Sequence, residues 1–131
     1  MERDIHHGER GTALVEMALV LPVFLLILLG IVEFGLAMNA HVTVQHAARE
    51  GARLGIMGAS DADIAARVRD RAFPIDPSKL GISVSPEPSL RQRGEPLTVA
   101  VEYTHEFITP LVASIIGEDV TLRSSIDMRI E

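Results

Sequence analysis

The 131-residue chain contains no cysteine. A disulfide framework and a thiolate metal site are therefore excluded. The chain also lacks an excess of basic charge, since 18 acidic residues against 12 lysines and arginines give a formal net charge of -6. No basic stripe is present to neutralise phosphates, so nucleic acid is not expected as a partner.

Recognisable catalytic and metal-binding motifs are also missing from the sequence. No nucleophile–base pair, phosphate-cradling glycine loop or HExxH stands out. His6 and His7 are adjacent, while His41 and His46 share a predicted helix. Five positions separate the latter two by about 140° around that helix, and no carboxylate completes a site. We therefore expect a non-enzymatic protein without metal or cofactor.

One long apolar run near the N-terminus is the dominant feature that the chain does have. Residues 17–32, MALVLPVFLLILLGIV, carry no charge. Extension to Met38 gives about 22 residues, or about 33 Å of helix, which spans a bilayer core of about 30 Å. A signal peptide would have a shorter apolar core and more positive leading charge. We therefore favour a retained anchor, with the transmembrane segment at about 17–38.

Two further helical patterns follow this run. Residues 39–54 contain no proline and keep apolar residues among polar ones, so the long helix is predicted to continue as an amphipathic half. A short second helix is predicted from about Asp61 to Phe73, because Ser60 and Asp63 resemble a capping box and Pro74 ends the pattern.

The last third of the chain changes to the two-residue period of strands. Three alternating runs indicate three strands, and they comprise Ile82 and Val84, then Leu97, Val99, Val101 and Tyr103, then Val120, Leu122, Ile126, Met128 and Ile130. Residues 86–96 form a predicted exposed loop between the first two. Thr109 and Pro110 predict the start of a short helical turn that ends at Gly117.

These elements together predict an α+β fold of pilin-like architecture. It consists of a long N-terminal transmembrane helix that continues into an amphipathic half, a short second helix and a small three-stranded antiparallel sheet. The sheet must bury its apolar face, and the amphipathic half of the long helix is the available partner.

Three residues of the apolar helix are unusual in such a position. Glu16 is an acid at the start of the run; it either needs a cationic partner near hydrocarbon or sits in the headgroups, favoured by the helix dipole. Pro22 removes one backbone hydrogen bond, which predicts a kink, with a packing role as the alternative. Glu33 ends the uncharged stretch and is either an interfacial residue or an assembly contact.

Small residues form one face of the outer half of the helix, and they permit close helix approach; they are Ala47, Ala48, Gly51, Ala52 and Gly55. Packing against the protein's own sheet and packing in a filament both explain this face. Arg49, Glu50 and Arg53 lie on the other side and are candidate assembly contacts.

Residues 10–35, RGTALVEMALVLPVFLLILLGIVEFG, resemble the N-terminus of the TadE-like family, the minor pilins of tight-adherence (Tad, type IVc) pilus systems. HAAREGAR at 46–53, ITPL at 108–111 and the terminal MRIE continue the resemblance. It implies cleavage after Gly11 by a prepilin peptidase, which leaves Thr12 as the new N-terminus. Glu16 would then pair with an N-terminal amine. Met17 departs from the aromatic residue of related major pilins.

The resemblance also implies an organisation and a set of partners. Residues 1–11 would be a cleavable leader, residues 12–57 the long helix and residues 58–131 a small exported domain. The protein would be a minor pilin or pseudopilin of the bacterial cytoplasmic (inner) membrane that takes part in assembly of an adhesive pilus. Its expected partners are the prepilin peptidase, the major pilin and other minor pilins, the pilus assembly platform and membrane lipid.

The orientation in the membrane and one alternative function depend on less evidence. The arginine counts near the two helix ends are too even to set the orientation, so an exported C-terminal domain follows from the resemblance alone. The alternative is an unprocessed single-pass membrane-anchored binding domain that does not enter a filament.

Overall fold

A computed structural model describes residues 5–131, and their side chains from residue 11 onward. The chain forms α1 (Ile5–Ile56), α2 (Asp61–Arg71), β1 (Leu80–Ser85), β2 (Pro96–Glu106), α3 (Pro110–Ile116) and β3 (Asp119–Arg129). The predicted α+β fold is confirmed, with one long apolar helix and a small antiparallel sheet. The first four residues of the predicted leader lie outside the described residues.

Helix α1 is 52 residues long and continues past Pro22. Within the described residues it is the one helix long and apolar enough to cross a membrane. Almost every side chain from residue 11 to residue 32 is exposed. The apolar half of α1 therefore lacks packing partners within its own chain, whereas the second half carries the rest of the fold.

The three strands form one antiparallel sheet in the order β1-β2-β3. Leu97, Val99 and Val101 of β2 are fully buried, as the alternating pattern predicts. On β3 the alternation contains one polar member, Ser124, which pairs with Val101 in the register and is 8% exposed. A serine on the buried face leaves room for α1 to approach the centre of the sheet.

The small-residue face of α1 packs inside the subunit, against α2 and the sheet. Ala47, Ala48 and Ala52 are fully buried in the core cluster. A Cβ atom added at Gly51 would lie 2.5 Å from Val68 Cγ2, and one added at Gly55 would collide with Leu97. Intramolecular packing thus accounts for this face, which the sequence alone left open between two explanations.

Helix α2 begins as predicted and ends earlier than predicted. The Asp63 N–H donates to Ser60 Oγ at 3.2 Å, and the Ser60 hydroxyl donates to Asp63 Oδ2 at 2.6 Å. The helix ends at Arg71 with Ala72 as its C-cap, whereas the sequence pattern extended it to Phe73. The reason is Pro74, which disfavours helical backbone at the residue before it.

The direction of β2 defines two ends of the folded part. Leu97, near its start, packs beside Gly55 at the C-terminal end of α1. Thr109, just after its end, contacts Glu33. Since 22 residues of helix cover about 33 Å, β2 runs back along α1 toward the apolar half. After the predicted transmembrane segment at about 17–38, we call the Glu33 end membrane-proximal and the Gly55 end membrane-distal.

The predicted loop at residues 86–96 is fastened at the membrane-distal end by Arg91. Its Nε donates to the Pro86 carbonyl oxygen at 3.0 Å, and its guanidinium forms an ion pair with Asp61 at the start of α2. The Arg91 side chain is 12% exposed. Arg91 is therefore largely buried and connects the loop to α2, although most of the loop is exposed as expected.

Arg91→Ala is expected to lower the free energy of unfolding by about 1–2 kcal/mol, because it removes a charged hydrogen bond and an ion pair that is only partly exposed. Urea unfolding of the full chain in detergent micelles, followed by circular dichroism, measures this change. Arg93→Ala is the matched control, since Arg93 is exposed. Equal unfolding midpoints for the two variants would contradict the role assigned to Arg91.

Candidate functional site

The residues with an implied role in processing lie on the exposed apolar half of α1. Gly11 has open space where a side chain would be, and Glu16 is exposed on the helix surface. Thr12 and Glu16 are four residues apart within the same helix, so they lie on one face. An amine created at Thr12 would thus be one turn from the Glu16 carboxylate.

The charged residues of the outer half lie far from that group. Arg49 and Arg53 are exposed and Glu50 is half-buried, on the side of α1 away from its small-residue face. About 50 Å of helix separates Arg49 from Glu16 at 1.5 Å per residue. The structure therefore places the predicted assembly residues in two distant groups on one helix.

Glu33 occupies an internal position. Its side chain is 2% exposed, and its Oε1 atom accepts a hydrogen bond from the Thr109 N–H at 2.5 Å. Ala40, which is buried in the core cluster, lies seven residues further along α1. Because seven residues are close to two helical turns, Glu33 extends the buried face of α1 toward its apolar half. The carboxylate joins α1 to the segment that precedes α3.

His105 is a second buried polar side chain here, and the predicted alternation of β2 ends before it, at Tyr103. It is 8% exposed and lies between Tyr103 and Phe107, with ring centroids at 6.2 and 6.0 Å. It lies near the end of β2, on the strand that leads to Thr109, the hydrogen-bond donor to Glu33. The signal that could have found it is the alternation of β2, which passes from Tyr103 to His105.

This pair leaves two buried polar atoms without a hydrogen-bond partner among the described side chains, Glu33 Oε2 and His105 Nε2. In the part of the chain that the structure describes, no three metal-ligating side chains are grouped to hold an ion. The arrangement is suited to holding two elements together in an apolar setting.

Next to Glu33 an apolar cleft of about 330 Å³ opens between α1 and the membrane-proximal edge of the sheet. Phe34 and Met38 line it from α1, and Ile116, Val120 and Leu122 line it from the other side. Both α1 residues are exposed. The cleft is thus continuous with the apolar surface of the long helix.

Charged and polar groups also lie beside this end of the sheet. Lys79 Nζ lies 3.0 Å from Glu106 Oε1, and this hydrogen-bonded carboxylate raises the pKa of Lys79. Hydrogen bonds from Ser78 lower the pKa of Asp76. Both groups keep their charge at neutral pH, so this side of the domain stays hydrophilic.

Residues 11–53 match the family model described as TadE-like protein. Over this segment the chain is similar to the TadE-like family. The match begins at Gly11 and ends at Arg53, so it includes the apolar half of α1, Glu33 and the small-residue face up to Ala52. The resemblance of this segment to the TadE-like family is confirmed. No curated protein and no solved structure matches the chain.

The TadE-like segment covers about a third of the 131 residues. It stops before α2, the sheet and α3. The family match therefore gives no information on the sheet or on the residues around it.

Proposed function

We propose that this TadE-like protein is a minor pilin or pseudopilin that inserts in the cytoplasmic membrane and takes part in assembly of a Tad-type pilus used for surface adherence. The observation that carries the proposal is the family match starting at Gly11, on a helix whose first half is apolar and exposed. An apolar surface of this size needs lipid or other helices as its surroundings.

In this proposal a prepilin peptidase cleaves between Gly11 and Thr12. Glu16 then pairs with the N-terminal amine of a neighbouring subunit, which sets the axial register. Pro22 supplies a local kink in the span. The exposed Arg49 and Arg53, together with Glu50, contact neighbouring pilins.

The protein would have a structural role rather than an enzymatic one. Its partners would be the prepilin peptidase, the major pilin, other minor pilins and the assembly platform, with membrane lipid around α1 until assembly. The folded part, residues 58–131, would lie outside the cytoplasm. This orientation rests on the family's processing at the cytoplasmic side of the membrane.

Mass spectrometry of the membrane-extracted protein tests the proposal. We expect a mature N-terminus at Thr12 in cells that have the peptidase and an intact leader in cells that lack it. Gly11→Val should retain the leader in both, because a branched side chain occupies the space that glycine leaves open. An intact Met1 with active peptidase, or cleavage beyond Met38, would overturn the pilin proposal and favour a membrane-anchored binding domain.

A further inference from the structure

An uncharged segment of eleven residues, FITPLVASIIG at 107–117, connects β2 to β3 and contains α3. Ile108, Ile115 and Ile116 in it are 73%, 64% and 69% exposed. Exposed apolar residues grouped in this way mark an interaction surface. We call residues 107–117 the α3 segment.

The position of the α3 segment along α1 indicates what surrounds it. The hydrogen bond between Glu33 and the Thr109 N–H holds the segment at the level of residue 33. Met38, at the end of the predicted span, lies five residues further along, or about 7.5 Å along the helix axis. If residues 17–38 span the bilayer, Thr109 cannot be in bulk water.

The contacts of α3 point to the same surroundings. Val112 is buried on the inner side of α3 at 3% exposure, whereas Leu111 and Ile115 face outward at 53% and 64%. The apolar cleft beside Ile116 opens toward Phe34 of the long helix. The outward face of α3, the cleft and the surface of α1 thus form one continuous apolar surface.

We propose that the α3 segment inserts among the lipids of the leaflet that faces the folded domain, with acyl chains against α3 and in the cleft. Glu33 is the positioning residue, because its carboxylate holds the Thr109 backbone beside α1. The inference rests on the proposed function only in requiring that α1 span the membrane. It does not depend on processing or on pilus assembly.

The charges around the segment indicate how it binds. Glu106, Glu118 and Asp119 flank it on both sides, so attraction to anionic headgroups is not the driving force. The driving force is the burial of apolar surface. Insertion is therefore expected in phosphatidylcholine, which has no net charge, and should be insensitive to salt.

Tryptophan fluorescence tests this inference directly, because the chain has no tryptophan of its own. The full chain carrying Ile115→Trp is reconstituted at low protein density in phosphatidylcholine vesicles. The lipids carry a spin label either near the headgroup or deep in the acyl chain. Leu90→Trp is the matched control, since Leu90 is 63% exposed but lies at the membrane-distal end. Leu28→Trp, within the span, reports insertion of α1.

We expect blue-shifted emission and strong quenching by the shallow label for Ile115→Trp, and no quenching for Leu90→Trp. Leu28→Trp should be quenched by the deep label. Water-like, unquenched emission of Ile115→Trp beside a quenched Leu28→Trp would overturn the inference and leave the anchor intact. Blue-shifted emission that is unquenched and reverts on dilution would show that a second copy covers the segment, which also overturns it. An unquenched Leu28→Trp would overturn the anchor and the inference together.

The role of Glu33 is tested in the Ile115→Trp background. Glu33→Gln keeps an oxygen that accepts the Thr109 N–H, so quenching should persist. Glu33→Ala removes the acceptor, and quenching should fall toward the level of Leu90→Trp. A loss of quenching in both variants, or in neither, would show that Glu33 does not position the α3 segment through this hydrogen bond.

Discussion

Gly55→Val is expected to separate the sheet from α1, with a loss of about 3 kcal/mol in the free energy of unfolding, at the upper end of the usual range for overpacked cores. The reason is that even a Cβ atom at this position collides with Leu97 and comes within 3.0 Å of Ile64 Cδ1. The helix gains less than about 1 kcal/mol from replacing glycine. The overpacking therefore outweighs the gain in helix propensity.

Hydrogen exchange of the full chain in detergent micelles measures this effect, because amides of β2 lose protection when the sheet detaches. Gly35→Val is the matched control on the same helix, since a Cβ atom there meets nothing within 4 Å. Equal protection of β2 in the two variants would contradict the packing described for Gly55.

A double substitution separates the collision from other effects of replacing Gly55. Leu97→Val removes Cδ2, the atom that a Cβ at Gly55 would meet. Gly55→Ala and Leu97→Val should therefore cost less together than the sum of their separate costs. Strict additivity would show that Gly55 acts through backbone conformation instead.

Much of the fold was predictable because its helices and strands show regular spacings of apolar residues. The alternation of Leu97, Val99 and Val101 predicts a strand with one buried face, and the structure buries all three. Ser60 and Asp63 predict the start of α2 through a hydrogen bond three residues apart in sequence. In both cases the residues that define the strand or the helix start are close together in sequence, so a short sequence pattern is enough to predict them.

The contacts between residues far apart in sequence were not predictable in the same way. Glu33 and Thr109 are 76 residues apart, and Arg91 and Asp61 are 30 apart. These contacts depend on how β2 crosses α1 and on where the loop at residues 86–96 lies. The spacing of apolar residues within one helix or strand does not determine either. A weaker signal was present for Glu33, since it lies seven residues before Ala40 on the buried face of α1. As the end of an apolar run, Glu33 predicts an interfacial residue or an assembly contact, and neither prediction identifies Thr109 as its partner.

Glu33 and Glu16, the two acids of the apolar half of α1, differ in how far the structure explains their roles. Glu33 has a defined partner within the chain. For Gly11 and Glu16, the roles come from the family resemblance, and the partners they imply are other molecules. The structure of one chain shows the surroundings of Glu33, because its partner belongs to that chain. It does not show the implied partner of Glu16, which belongs to another molecule.

Glu16→Gln is expected to reduce co-assembly with other pilins while leaving cleavage after Gly11 intact. Glutamine has nearly the same shape but no charge, so it cannot compensate an N-terminal amine among packed helices. Leaving one member of a buried ion pair alone costs about 3 kcal/mol or more, which corresponds to roughly a hundredfold change in an association constant. Co-purification from membranes measures the loss, and mass spectrometry of the same sample verifies the Thr12 end.

A control variant separates the loss of a specific ion pair from a general effect of removing one negative charge. Glu87→Gln removes the same charge from the loop at residues 86–96, where Glu87 is exposed and has no proposed part in assembly. A charge effect on overall solubility would change both variants alike, whereas a register-setting pair in an apolar environment changes Glu16→Gln alone. Unchanged co-assembly of processed Glu16→Gln would show that the amine is compensated elsewhere. Glu16 would then be a headgroup-level carboxylate held by the helix dipole.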